Sequence, residues 1–143
     1  MSEHKIINLD DAAKTVEIKI GGESFNIARI TLEMRQLYGE YLTFCGEYYQ
    51  RVLAFNVQAE NESKLEKLNE IDSDQNKAIE EFAHGKAERI EAMLKLLLEK
   101  NGHKYSRKWW ESNADYTTME AFIVEAINKD TAQATSKKKE AAS

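Results

Sequence analysis

Residues 31–58 read TLEMRQLYGEYLTFCGEYYQRVLAFNVQ. Leu37, Tyr41, Phe44, Tyr48, Val52 and Phe55 recur every three or four positions, the spacing of one face of an α-helix. Met34, Tyr38, Leu42, Cys45, Tyr49 and Leu53 widen that face until, at about 100° per residue, apolar side chains cover close to half the circumference. Glu40, Thr43, Glu47, Gln50 and Arg51 lie on or beside the opposite side. Thr31 suits a helix cap, and Glu33 falls in the first turn, where unpaired backbone N–H groups favour negative charge. The predicted helix, 31–58, is roughly 40 Å long and forms the central element. The chain contains no proline, which permits helices of this length without interruption.

Upstream the period changes. Residues 5–9, Lys-Ile-Ile-Asn-Leu, read as a short strand, and Asp10-Asp11 as a turn. Val16, Ile18 and Ile20 then alternate with Glu17 and Lys19, a period of two that predicts a half-buried strand. Gly21-Gly22 follows, and Phe25 and Ile27 resume the alternation. Glycine supplies the positive φ of a tight turn, so the pattern predicts a β-hairpin within residues 5–28. An isolated hairpin is marginal in water, so its apolar face needs helices or a partner chain to cover it.

Downstream, 60–77 is densely charged, with Leu65, Leu68 and Ile71 as its apolar residues. Either Asn61-Glu62-Ser63 or Asp72-Ser73-Asp74 is a candidate break. A second amphipathic run carries Ile79, Phe82, Ala83, Ile90, Met93, Leu94 and Leu97, and Asn101-Gly102 ends it. The spacing 65, 68, 72, 75, 79, 82, 86 is nearly heptad, but Asp72, Gln75 and Lys86 would then occupy core positions. An antiparallel helical pair with a solvated tip follows. Arg107 to Ser112 reads as a brief helix, and Thr117-Thr118-Met119-Glu120 as a capping box. The last helix buries Met119, Phe122, Ile123, Ala126 and Ile127. Residues 130–143 lack apolar side chains larger than alanine and are expected to be disordered. The fold class is therefore mainly α (α+β): a hairpin or small antiparallel sheet packed on three to four helices. It forms one domain, 1–129, with a polar tail.

The chain has 143 residues and a formal net charge of −5. An acidic surface opposes a phosphate backbone, so nucleic acid is not an expected partner. The Lys137-Lys138-Lys139 cluster reads as solvated tail. No apolar stretch is long enough to span a bilayer, and the N-terminus does not resemble a signal peptide, so no membrane partner and a cytoplasmic location are expected.

Chemistry is hard to place in this pattern. His4, His84 and His103 are scattered, and none forms a close ligand pair with another histidine. Cys45, the only cysteine, falls on the apolar helix face and reads as a buried structural thiol. The carboxylates interleave with lysines on helical faces, the pattern of a solvated surface. No catalytic residue, cofactor site or metal site is assigned, and the chain is expected not to be an enzyme.

The aromatic and thioether side chains are the candidate binding residues. Tyr48 and Tyr49 combine apolar area with a polar tip. Trp109 and Trp110 are adjacent, so they point in different directions on a helix, and one is a candidate exposed anchor. Met93 and Leu97 lie on the Leu/Met-rich run, where methionine lets a groove adapt to different apolar segments. Half a circumference of apolar side chains on the first helix can be covered within the chain or across a homo-oligomer.

Taken in order, Ile7-Asn8-Leu9-Asp10, the hairpin Val16-Glu-Ile-Lys-Ile-Gly-Gly22, the long helices, Lys108-Trp109-Trp110-Glu111 and Met119-Glu-Ala-Phe-Ile-Val-Glu-Ala-Ile127 form a pattern. It resembles the tail assembly chaperones of long-tailed, siphovirus-type phages of Gram-positive bacteria, over most of residues 6–128. The charged stretch 60–77 is longer than such a compact chaperone leads one to expect. The resemblance implies a protein that binds the long, hydrophobic tape measure protein, keeps it soluble and helps recruit tail tube subunits. It further implies action in the host cytoplasm and absence from the mature virion. Many members are made in two lengths by ribosomal frameshifting, for which adenine-rich codons at Lys137–Lys139 would suit. Two other readings stand beside it: a phage or mobile-element protein that inhibits a host factor, and a small structural component of the virion.

Overall fold

The computed structural model describes the backbone of residues 15–142 and the side chains of residues 15–129. The expected strand at 5–9 and turn at Asp10-Asp11 lie outside these residues. So do the side chains of the expected tail. In order, the elements are β1 (Val16–Ile20), β2 (Glu23–Ile27), α1 (Leu32–Asn61), α2 (Leu65–Lys100), α3 (Arg107–Asn113) and α4 (Tyr116–Ala142). The protein is mainly helical with a two-stranded antiparallel sheet near its N-terminus, as the periodicities predict. It divides into two compact units, one of residues 33–93, the other of residues up to Leu32 together with those from Leu94 onward.

In the second of these units, β1 and β2 pair with Val16 opposite Ile27 and Ile18 opposite Phe25. Gly21 and Gly22 both take positive φ, 58° and 78°, the two-residue turn whose twist matches that of the strands. The register puts Val16, Phe25 and Ile27 on one buried face. That face meets Trp110 and Phe122: Phe25 lies 5.4 Å from the Trp110 ring and edge-on to Phe122 at 5.7 Å. Met119, Phe122, Ile123, Ala126 and Ile127 are all buried, the residues the last-helix pattern selects.

Two caps and a clamp fix the loops of this unit. Ser106 precedes α3 and its hydroxyl accepts from the Trp109 N–H. The cap of α4 is Asp115, two residues before the expected Thr117: its Oδ1 accepts the Thr118 N–H at 2.7 Å. Aspartate at that position wins because its carboxylate also faces the positive end of the helix dipole. α2 ends as predicted, with Gly102 at φ 78°, the His103 N–H bonded to Leu98 O and the Gly102 N–H to Glu99 O. Beside it, the Asn101 carboxamide accepts from the Ala28 and Arg29 N–H groups and donates to the Arg29 and Leu97 carbonyls. His103 Nε2 donates to Asn26 O at 2.9 Å, which leaves this residue half-buried against the hairpin.

The other unit is a helical pair. The break falls at Glu62-Ser63-Lys64, and α2 runs unbroken through Asp72-Ser73-Asp74. Contacts step down α1 as they step up α2, from Arg51 near Glu81 through Tyr48 on Phe82 to Phe44 on Phe82. The helices are therefore antiparallel.

The expected seam holds at Leu68, Gln75 and Phe82 and shifts by one residue between them, from Asp72 to Ile71 and from Ile79 to Ala78. Leu68, Ile71, Gln75, Ala78, Phe82, Gly85, Lys86 and Ala87 are buried or half-buried, so Lys86 lies at the seam as expected, while Asp72 and Ile79 face outward. A single apolar choice, Ile71 instead of Asp72, carries the heptad through the charged stretch without putting a carboxylate in the seam. Ile79 and Ala83, expected in the core, are exposed for the same reason.

Candidate protein-binding surface

The largest departure from the expected packing is on α1. Its predicted face divides into two stripes. Leu37, Phe44, Tyr48, Val52 and Phe55 are half-buried and Tyr41 is buried. Tyr48 stacks on Phe82 with centroids 3.8 Å apart and planes 6° from parallel, and Phe44 stacks on the same ring at 5.3 Å. The Arg89 guanidinium sits 3.8 Å from the Phe44 centroid, close enough for a cation–π contact. These rings fill the space between α1 and α2.

The second stripe stays uncovered. Leu42 is 52% exposed, Tyr49 70%, Leu53 49% and Val57 55%. At about 100° per residue these side chains fall within roughly a quarter of the helix circumference. Gly39 and Gly46 lie in the same stripe, and a Cβ added at either would meet nothing within 4 Å. One helix face cannot be wholly apolar and wholly covered by a single neighbouring helix, so the surplus azimuth faces water. Cys45, at the edge of the stripe, is half-buried and not the buried thiol expected of it. At its distal end the stripe runs into a shallow cleft of about 430 Å³ bordered by Val57, Asn61, Lys67, Glu70 and Ile71. A second open depression, about 520 Å³, lies between Glu40, Phe44, Glu47 and Arg89; its carboxylates and guanidinium are exposed, as on an ordinary solvated surface.

The six candidate residues separate sharply by environment. Tyr49 is the one that is exposed. Tyr48, one residue earlier, is engaged with Phe82. Trp110 is buried, and Trp109 is half-buried with its ring edge-on to Phe25 at 5.6 Å and to Trp110 at 5.0 Å. Neither tryptophan is the exposed anchor; β2 supplies an aromatic surface that takes both. Met93 and Leu97 are buried, and no partner reaches them while the fold is intact. Leu42 and Leu53 stand in the sequence as members of the core face, and only the placement of α2 distinguishes them.

Among the described residues, no group of three or more histidine, cysteine, aspartate or glutamate side chains is placed to hold a metal ion. No described helix is long and apolar enough to cross a membrane. His84 is exposed beside Glu88 at 3.1 Å, one turn along the same helix. No family model matches the chain, and neither the curated proteins nor the solved structures offer a significant match.

Proposed function

We propose that this chain is a non-enzymatic tail assembly chaperone of a long-tailed phage, binding the tape measure protein and helping to bring tail tube subunits to it. The observation that carries the reading is the uncovered stripe Leu42, Tyr49, Leu53 and Val57, on a helix of an otherwise strongly charged, acidic chain. A client with long apolar helical segments needs such a stripe to lie against. The leucines and valine supply area to bury, and Tyr49 supplies a large contact that tolerates a wet edge. Net negative charge keeps the loaded complex soluble. On this reading the protein works in the host cytoplasm and leaves before the virion is complete.

Co-expression with the tape measure and tail tube proteins of a long-tailed phage tests this. The chain is expected to hold the tape measure protein in the soluble fraction and co-purify with it. The double variant Leu42→Glu, Leu53→Glu is expected to lose both effects while keeping its helical circular dichroism. A tape measure protein that is equally insoluble with and without the chain would count against the proposal. So would stoichiometric retention of the chain in purified particles, which belongs to a structural component.

A further inference from the structure

We propose that α1 pairs with α1 of a second copy of this chain, antiparallel and in one register, through the exposed stripe. The stripe has a heptad: Arg35, Leu42, Tyr49 and Asn56 occupy one of its two core positions, and Gly39, Gly46, Leu53 and Glu60 the other. All of them except the glycines project from an exposed face of α1, and the glycines leave the space above them empty.

Antiparallel helices bring the first kind of position beside the second kind on the partner. With residue numbers of facing pairs summing to a constant, one register aligns everything at once. Leu42 meets Leu53, Tyr49 lies over Gly46, and Arg35 at one end meets Glu60 at the other. The two-fold axis repeats each pair, so the stripe is complementary to itself in shape and in charge. Tyrosine is the largest residue of the stripe and glycine the smallest, so the ring fills the gap above the partner's Gly46.

The other arrangements fail on the same residues. A parallel pair sets Arg35 beside Arg35, Glu60 beside Glu60 and Tyr49 against Tyr49, with paired glycines leaving voids. Sliding the antiparallel pair by one heptad puts Leu42 against Glu60 in one direction, and Leu53 against Arg35 in the other. Both desolvate a charge on an apolar residue. The pairing uses the same stripe that the proposed function gives to the client, so the two occupants exclude one another; the paired form is the one expected in the absence of client, and its test requires none.

Directional crosslinking decides it. In the full-length Cys45→Ser chain, Leu42→Cys and Leu53→Cys are made separately; both sites are exposed, so the fold tolerates them. On mild oxidation the mixture is expected to give a disulfide-linked dimer, and neither variant alone is expected to do so. Sedimentation of the parent should give twice the 16.4 kDa chain mass, and Leu53→Glu a single chain. Arg35→Glu is expected to raise the dimer dissociation constant about tenfold, through the two exposed ion pairs it reverses. Adding Glu60→Arg should restore it. Crosslinking of Leu42→Cys or Leu53→Cys with itself would overturn the antiparallel arrangement. A parent of single-chain mass with no crosslink in any mixture would overturn the pairing altogether, and failure of Glu60→Arg to rescue would overturn the register.

Discussion

Asn101 treats Arg29 as a strand neighbour would: its Oδ1 accepts the Arg29 N–H at 2.8 Å, and its Nδ2 donates to the Arg29 carbonyl at 2.9 Å. The same carboxamide serves the Ala28 N–H and Leu97 carbonyl, at 2.8 and 2.7 Å. One side chain thus satisfies backbone groups on both the segment leaving the hairpin and the end of α2. Asn101→Ala leaves all of these to water or to nothing, and is expected to cost about 1–3 kcal/mol in urea unfolding. Asn101→Asp should cost at least as much, because a carboxylate keeps the acceptors but opposes the two carbonyls.

Gly85 and Gly39 make a matched pair of substitutions. Alanine ordinarily stabilises a helix interior by roughly 0.5–1 kcal/mol relative to glycine. At Gly39 the added Cβ meets nothing within 4 Å, and Gly39→Ala is expected to show that gain in its urea midpoint. At Gly85 the Cβ would lie 2.8 Å from Phe44 Cζ and 3.2 Å from Arg89 Nη1. Phe44 is held between Phe82 and the Arg89 guanidinium, so it yields only by losing those contacts. Gly85→Ala is expected to destabilise by about 1–2 kcal/mol.

In the hairpin turn, Gly21→Ala should cost more than Gly22→Ala. Both glycines take positive φ, which penalises any side chain by about 1 kcal/mol. Only at Gly21 does the new Cβ also crowd a neighbour, Asn113 Oδ1 at 2.7 Å, whose amide donates to Trp109 O. Parallel thermal melts of the two variants read the difference.

Asp115 gives the α4 cap a pH dependence of known sign. The Thr118 hydroxyl and backbone N–H, both bonded to its carboxylate, hold its pKa below the ordinary aspartate value. A group with a lowered folded-state pKa stabilises fully above its unfolded value, and that stabilisation disappears as pH falls through the lowered one. The carboxyl carbon of Asp115 is expected to titrate below free aspartate by NMR. Asp115→Asn keeps an acceptor but removes this contribution to the acid limb of the melting profile.

The fold was legible wherever one period dominated. Val16 to Ile27 gave the hairpin, 31–58 gave α1, and Met119 to Ile127 gave a buried stripe, because in each a single period outweighs any other. The site was legible only in part. Tyr49 carried a signal in its residue type, whereas Leu42 and Leu53 look identical to core leucines until the position of α2 is known. The tryptophan pair misled because Phe25, distant in sequence, offers a ring surface to both. The seam of α2 was off by one because Ile71 and Asp72, like Ala78 and Ile79, fit a heptad nearly equally well; the partner helix selects between them.

Photo-crosslinking from the stripe tests the account most directly. A photoreactive phenylalanine derivative is placed at Tyr49, or at Glu47, about 160° around α1, in cells making the tape measure protein. A tape measure adduct is expected from position 49 and none from position 47. An adduct from position 47 alone, or from neither position while the two proteins still co-purify, would contradict it.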